Sequence, residues 1–350
     1  MINYENILRK ERIKNFYEGN DVDRVPFYTN ATIYSGVLGK LSSKEFYLNP
    51  ELSYSTQRLV LDIHHCDGSP SFDFPGYTGL MFGGEIEYKD NPYVSIPLIK
   101  PRVKSISDIE KIKVPNLEID IEENLKFKFF KILNEKGVSI PISMGSPLEI
   151  VSNICDITLL VKLFRKDTEA LHRLLRCATD YLKLMGNITI NMFGIDKCYC
   201  SSNFPIESLI STKLFENHSL PYFLEVYEYF RSKGVKSYSL HLCGNHNRNL
   251  EIFRHIGLPD RTFISLDEKI DMDKASSIFG EKYILAGNVS SNSLLNGTYK
   301  EVYSISKDII IKNKSRKGGF ALMPSCTLPP YTPPLNLYAM YKACEDFGKY

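Results

Sequence analysis

The strongest constraint on the fold is a rhythm. Short apolar, β-branched runs recur along the chain, separated by segments whose apolar residues repeat at helical spacing. Repeated βα units of this kind build a parallel sheet, because each crossover helix carries the chain back to the start of the next strand. Candidate strands lie at residues 25–29, 68–72, 138–144, 195–200, 235–243, 263–267, 283–288 and 319–324, and eight is the strand count of a closed (β/α)8 TIM barrel. Between them, 150–186 reads as one long amphipathic helix, 215–234 as a helix ending at Gly234, and 249–257 and 302–311 as shorter helices. The rhythm is interrupted at 31–67 and 75–135. Residues 82–104 read as a β-rich excursion laid over the barrel mouth, and residues 1–22 as an N-terminal helical extension. Without a Pro- or Ser-rich linker, the 350 residues read as a single domain spanning 1–350.

Charge excludes some partners. The 43 Lys and Arg residues nearly balance 41 Asp and Glu, so no strong field favours nucleic acid or an anionic membrane. The one basic run, Lys312 to Lys317, reads as the solvated C-terminal turn of a helix. The first twenty residues carry charges throughout and have no apolar core, and no stretch approaches the roughly 18 apolar residues of a membrane span. A soluble, cytoplasmic protein is therefore expected. Its eight cysteines are then expected as reduced thiols, open to ligand or catalytic roles.

The chemistry concentrates at strand ends. Along residues 235–244 a period of two sends Tyr238, Leu240 and Leu242 one way and Ser237, Ser239, His241 and Cys243 the other. Cys326 follows the last candidate strand, and in a βα barrel the carboxyl ends of the strands share one mouth. His241, Cys243 and Cys326 can therefore converge as metal ligands. One His and two Cys with a fourth position open is a set that zinc uses for catalysis. Ser265 and Asp267 share a face of the 263–267 strand, which makes Asp267 a candidate fourth ligand or base, with Glu268 as its rival. Asn288, at the end of the 283–288 strand, either bonds to backbone or contacts substrate. Cys198, Cys200 and the run His64-His65-Cys66 read as structural residues, and His246 and His255 as surface or capping groups.

The His241-Leu242-Cys243 strand, the run Ile284-Leu285-Ala286-Gly287-Asn288-Val289 and the segment Leu322-Met323-Pro324-Ser325-Cys326-Thr327-Leu328-Pro329-Pro330 resemble the uroporphyrinogen decarboxylase superfamily. They most resemble its zinc-dependent methylcobamide:coenzyme M methyltransferase branch. Similarity extends to Asp23-Arg24-Val25-Pro26, to Met144-Gly145-Ser146-Pro147, and to Ile210-Ser211 through Leu220-Pro221-Tyr222, and so covers nearly the whole chain. The resemblance implies a (β/α)8 barrel, zinc on His241, Cys243 and Cys326, and substrate contacts at Ser146, Asn203 and Asn288. It also implies a corrinoid protein carrying methylcobamide, and a small thiol, as partners. The activity implied is methyl transfer between the two through a zinc-activated thiolate. Physically, one neutral imidazole and two thiolates leave bound zinc formally uncharged, so an incoming thiol can lose its proton and stay nucleophilic.

Two departures bear on this expectation. The decarboxylase branch's Arg-rich N-terminal loop has no counterpart in residues 23–31, and Asp73 matches the place of that branch's catalytic aspartate without its flanking residues. Tetrapyrrole decarboxylation, a carboxy-lyase activity, is thus the second reading, and a non-catalytic corrinoid-binding barrel the third. Ser325-Cys326-Thr327 stands where the coenzyme M enzymes often show Gly-Cys-Gly, which leaves the acceptor thiol open.

Overall fold

A computed structural model describes residues 2–89, 91, 93–117 and 123–350. Strands β1 (Glu85–Glu87) and β2 (Leu98–Lys100) form an antiparallel hairpin, which is the strand content expected of the 82–104 excursion. Six further strands follow as neighbours, in chain order, in one parallel sheet: β3 (Ile140–Ser143), β4 (Cys198–Asn203), β5 (Tyr238–Leu242), β6 (Phe263–Leu266), β7 (Ile284–Val289) and β8 (Phe320–Pro324). Helices separate each strand from the next in sequence, as parallel pairing requires.

The first two expected strands are corrected. Residues 25–29 contribute one parallel bridge, Phe27 to Leu322 of β8, with Tyr28 N–H donating to Leu322 O and Leu322 N–H to Pro26 O, both at 2.9 Å. Residues 68–72 form no strand. Asp67 donates its backbone N–H to Phe27 O at 2.7 Å, and its Oδ2 accepts the Phe27 N–H at 2.8 Å. One side chain thus takes the place of a strand carbonyl, and Pro70 brings no ladder donor. The buried Asp67 carboxylate also pairs with Arg12 at 2.6 Å and Arg24 at 3.0 Å, which offsets the cost of its desolvation.

Other boundaries shift for local reasons. Residues 195–197 form a 3₁₀ turn, so β4 begins only at Cys198. The single helix expected over 150–186 is three: Pro147–Ile154, Ile157–Lys166 and Thr168–Phe193. Asp156 and Asp167 interrupt it, each accepting a backbone N–H at 3.0 Å from the turn that it caps, Leu159 and Ala170 respectively. The 215–234 segment opens with a π-helical turn, Phe215–Ser219, before the helix Leu220–Ser232. The two shorter helices occur at Leu250–His255 and Tyr299–Asn313, and the N-terminal extension is a helix over Ile2–Glu18. Among the described residues no helix is long and apolar enough to cross a membrane.

The chain gathers into two compact units. One holds residues 1–41, 52–71 and 241–350, and the other 42–51 and 72–240, so the division falls inside β5. In the first unit, Val289, Phe320 and Leu322 pack with Val302, Ile310, Leu337 and Met340 of the following helices. Alternate residues Ile284, Ala286 and Ala321 pack instead with Phe16 of the N-terminal helix and Phe263. This two-sided burial is what βα strands show when both faces are covered. In the second unit, Leu171, Leu174, Ala178 and Leu182 of helix Thr168–Phe193 and Phe223 and Phe230 of helix Leu220–Ser232 are fully buried.

Gly186 lies inside helix Thr168–Phe193 because of a close approach. A Cβ there would collide with the Phe230 ring and lie 2.9 Å from Ile142 Cγ2. Gly to Ala in a helix interior ordinarily stabilises by about 1 kcal/mol. Here the steric contact reverses the sign, and Gly186→Ala is expected to lose about 1–3 kcal/mol in urea unfolding. Unchanged or increased stability would show that the helices part freely.

Candidate metal centre

β5 alternates as its residue types require: Tyr238, Leu240 and Leu242 are buried, and Ser239 and His241 lie on the other, partly exposed face. Cys243 follows the strand on the His241 side, and Cys326 lies two residues beyond β8. The ligand atoms of His241, Cys243 and Cys326 all lie within 4.8 Å of one another, and all three residues are half-buried. His241 Nδ1 is 2.9 Å from Ser265 Oγ on β6. Its Nε2 is buried with no hydrogen-bond partner among the described residues, a state that costs about 1–3 kcal/mol unless something else engages the nitrogen.

The cysteines divide electrostatically. Burial pushes the thiols of Cys66 and Cys155 up to about 12 and those of Cys177 and Cys198 up to about 11. Cys326 goes the other way, below the ordinary thiol value. A hydrogen bond from Cys243 is the main cause, and with His241 and the Thr327 N–H it outweighs the opposing effect of burial. The donor set fits zinc: one imidazole nitrogen and two sulfurs, one of them already favouring the thiolate. Tetrahedral zinc holds such ligand atoms about 3.5–3.8 Å apart, so closing the trio needs side-chain movement of at most about 1 Å.

The neighbours expected from sequence lie close by in the same unit. Asp267 donates its backbone N–H to Leu242 O at 3.2 Å, level with the residue between the first two ligands, and its Oδ1 accepts the Lys269 N–H at 2.9 Å. No carboxylate joins the ligand trio among the described residues. Glu268 is exposed, and its Oε2 accepts Ser291 N–H at 2.8 Å and Ser325 Oγ–H at 3.1 Å. Asn288 spends its amide on backbone, donating to Asp267 O and Ile270 O at 3.1 Å each.

Of the other histidines, His246 is corrected from a surface group: it is fully buried, 3.2 Å from Asn249 Nδ2 and edge-on to Phe253. His255 is exposed and bonds Glu251 O at the end of its helix. His64 pairs with Tyr34 OH at 3.0 Å, the structural role expected of it.

Ser146 and Asn203 belong to the second unit, where one network joins them. Ser146 caps helix Pro147–Ile154 by accepting the Glu149 N–H at 3.3 Å, and its hydroxyl donates to Glu207. Ser219, from the π-helical turn, donates to the same Glu207 oxygen at 2.6 Å, and Asn203 Nδ2 donates to Glu149 Oε1 at 3.2 Å. Asn203 Oδ1 is buried without a partner among the described residues. Burial, and then the neighbouring Glu207, push Glu149 up to about 8, while burial pulls Lys126 down to about 8 against the attraction of Glu149. Sequence reasoning missed these three. Glu149 stands three residues after Ser146, a capping-box spacing that could have marked it, but Glu207 and Lys126 carry no local signal.

A βα sheet that presents imidazole and thiol ligands from the carboxyl ends of its strands defines a barrel-type enzyme architecture. Residues 8–347 match the uroporphyrinogen decarboxylase (URO-D) family, and the chain belongs to that family, whose fold is the TIM barrel expected from the sequence. The chain is 28% identical over 254 residues to the methylcobamide:CoM methyltransferase MtbA of Methanosarcina acetivorans, and 26% identical over 254 residues to MtbA of Methanosarcina mazei; each alignment covers 71% of both chains. It is 21% identical over 208 residues to the methylated-thiol–coenzyme M methyltransferase of Methanosarcina mazei, covering 59% of this chain and 53% of that one. Among solved structures, a methyltransferase from Methanosarcina mazei has the same fold, with a TM-score of 0.75 over 97% of this chain and 98% of its own at 23% identity.

The raised Glu149 has a consequence for stability. Between its ordinary value of 4.5 and about 8, the folded protein keeps a proton that the unfolded chain has lost, so stability falls as pH rises through this window. Glu149→Gln removes that penalty. Its stability relative to wild type is expected to rise from pH 5 to pH 8, by at most about 1.4 kcal/mol per pH unit, in denaturant titrations at the two pH values. A constant difference would mean that Glu149 is ionised in the folded protein across the range.

Proposed function

We propose that the protein is a zinc-dependent methyltransferase that moves a methyl group between methylcobamide, carried by a partner corrinoid protein, and a small thiol. The convergence of His241, Cys243 and Cys326 at the carboxyl ends of β5 and β8 carries this reading, and the similarity to methylcobamide:CoM methyltransferases supports it. Zinc held there would supply the Lewis acidity that lowers a bound thiol's pKa toward neutrality. His241 would bind through Nε2, with Ser265 fixing the tautomer at Nδ1. Cys243 and Cys326 supply negative charge that keeps an incoming sulfur electron-rich. Asp267 is the proposed proton acceptor, because its backbone bond to Leu242 sets it level with the span between His241 and Cys243. In the second unit Asn203 offers a buried acceptor for a substrate donor, while Ser146 holds Glu207 and Asn288 holds backbone in the first. The chain would act as one domain in the cytoplasm, without nucleic acid or membrane partners.

The purified protein is expected to hold about one zinc per chain, and Cys243→Ala or Cys326→Ala to lose it while remaining folded by circular dichroism, since a core of this size does not depend on a metal. With methylcobalamin and a panel of thiols, the methyl–cobalt absorbance should decay, and chelation of zinc should abolish the decay. Asp267→Asn should lower that rate far more than it lowers zinc content. Chelator-indifferent release of carbon dioxide from uroporphyrinogen, with no thiol-dependent demethylation, would replace this function by decarboxylation. Corrinoid binding without turnover of either kind would point to a non-catalytic barrel.

A further inference from the structure

The segments that follow β6, β7 and β8 meet at one carboxylate oxygen. Glu268 Oε2 accepts the Ser291 N–H at 2.8 Å and the Ser325 hydroxyl at 3.1 Å. Ser325 Oγ lies 3.1 Å from Ser291 Oγ and accepts the Ser291 N–H at 3.3 Å, and the Ser325 N–H donates to Val289 O at 2.8 Å. Ser325 is 2% exposed and is the residue bonded to Cys326. The loop that bears Glu268 is itself tied down, by Asn288 on the Asp267 and Ile270 carbonyls and by Asp267 on the Lys269 N–H.

We propose that Glu268 is a positioning residue that fixes Cys326 as a metal ligand through Ser325 and Ser291, and is not an acid–base group. The inference rests on the metal reading given above. Two features support it. Both acceptor directions of Oε2 are committed to structural donors, which leaves that oxygen poorly placed to take a substrate proton. Cys326 stands in the loop beyond β8, and a ligand on a loop reaches metal-binding precision only when its backbone is held from several sides. The carboxylate supplies that hold with charge-assisted bonds, stronger than those between neutral groups. Ser325 at this position then has a use: its hydroxyl is what Glu268 grips, and a glycine there would offer no such handle.

The experiment compares wild type, Glu268→Ala, Glu268→Gln, Ser325→Ala and the Glu268→Ala/Ser325→Ala double variant. Zinc affinity is measured by competition with a chromophoric chelator, the thiolate–metal charge-transfer band is recorded after cobalt(II) substitution, and amide hydrogen exchange across residues 325–328 is followed in the metal-free protein. Each single Ala variant is expected to weaken zinc binding about 10–100-fold, the range typical of partners that orient metal ligands, to shift the cobalt band and to speed exchange. The double variant should be no weaker than the weaker single one. Glu268→Gln should recover affinity and turnover relative to Glu268→Ala, because an amide oxygen still accepts both bonds. Wild-type zinc affinity with collapsed turnover in Glu268→Gln would overturn the proposal in favour of proton transfer. Additive losses in the double variant would overturn it too, as would Ala variants with unchanged affinity and exchange. If wild type binds no zinc, the metal reading fails, and the exchange data alone decide the clamp: faster exchange at 325–328 in both Ala variants upholds it, and unchanged exchange removes it.

Discussion

Parallel strands all end on the same side of a sheet, and this constraint lets candidate metal ligands more than 80 residues apart meet. β5 and β8 need no sequence proximity to bring His241 and Cys243 together with Cys326, because each is delivered at or just past a carboxyl terminus. The period of two within β5 then decides chemistry. Shifting the strand by one residue would turn Leu240 and Leu242 toward the site and send both ligands into the apolar layer, so the packing that holds register also holds the metal donors. The ladder contributes a second time through Asp267 N–H on Leu242 O, which sets the first residue beyond β6 against the ligand-bearing strand.

A different balance operates where the chain departs from regular strands. The Asp67 carboxylate receives Phe27 N–H, Arg12 and Arg24, and it does so in nearly complete burial. Three donors on one carboxylate satisfy the charge well, but the pair energy and the desolvation cost largely cancel. Specificity is what remains: removing one partner leaves buried charge without compensation, so the N-terminal helix, the 24–28 segment and the stretch after helix Pro50–Ile63 are fixed together.

How much of this was legible in the sequence follows from where the bonding partners come from. β3, β6 and β7 announce themselves through short apolar runs that include Ile or Val, and their partners are backbone groups that any strand of that composition can supply. Residues 68–72 misled because the Phe27 N–H bonds the Asp67 side chain, and a side chain standing in for a strand carbonyl leaves no periodic trace. The segment 150–186 misled in the opposite sense: its amphipathic period continues across Asp156 and Asp167, and only their cap bonds reveal the breaks. The His-x-Cys strand was legible because ligand chemistry and strand period coincide within three residues. Glu149, Glu207 and Lys126 were not, since their meaning arises only when separate elements bury them together.

The two units carry donors of opposite character. The first presents soft sulfur and imidazole, with its carboxylates at Asp267 and Glu268 engaged by backbone and hydroxyl donors. The second holds carboxyls whose burial favours the neutral acid, beside an amine whose burial favours the neutral base. A neutral acid is a hydrogen-bond donor and a poor ligand for a divalent ion, so the Glu149–Glu207 network would not compete with the proposed Cys243 and Cys326 ligands for a borderline-soft metal such as zinc. The hydrogen bonds on Asp267 and Glu268 do the corresponding work in the first unit, since a carboxylate committed to N–H and O–H donors gains less by turning to a cation. In the proposed zinc site, preference over harder ions would thus depend as much on how the oxygens are occupied as on where the sulfurs stand.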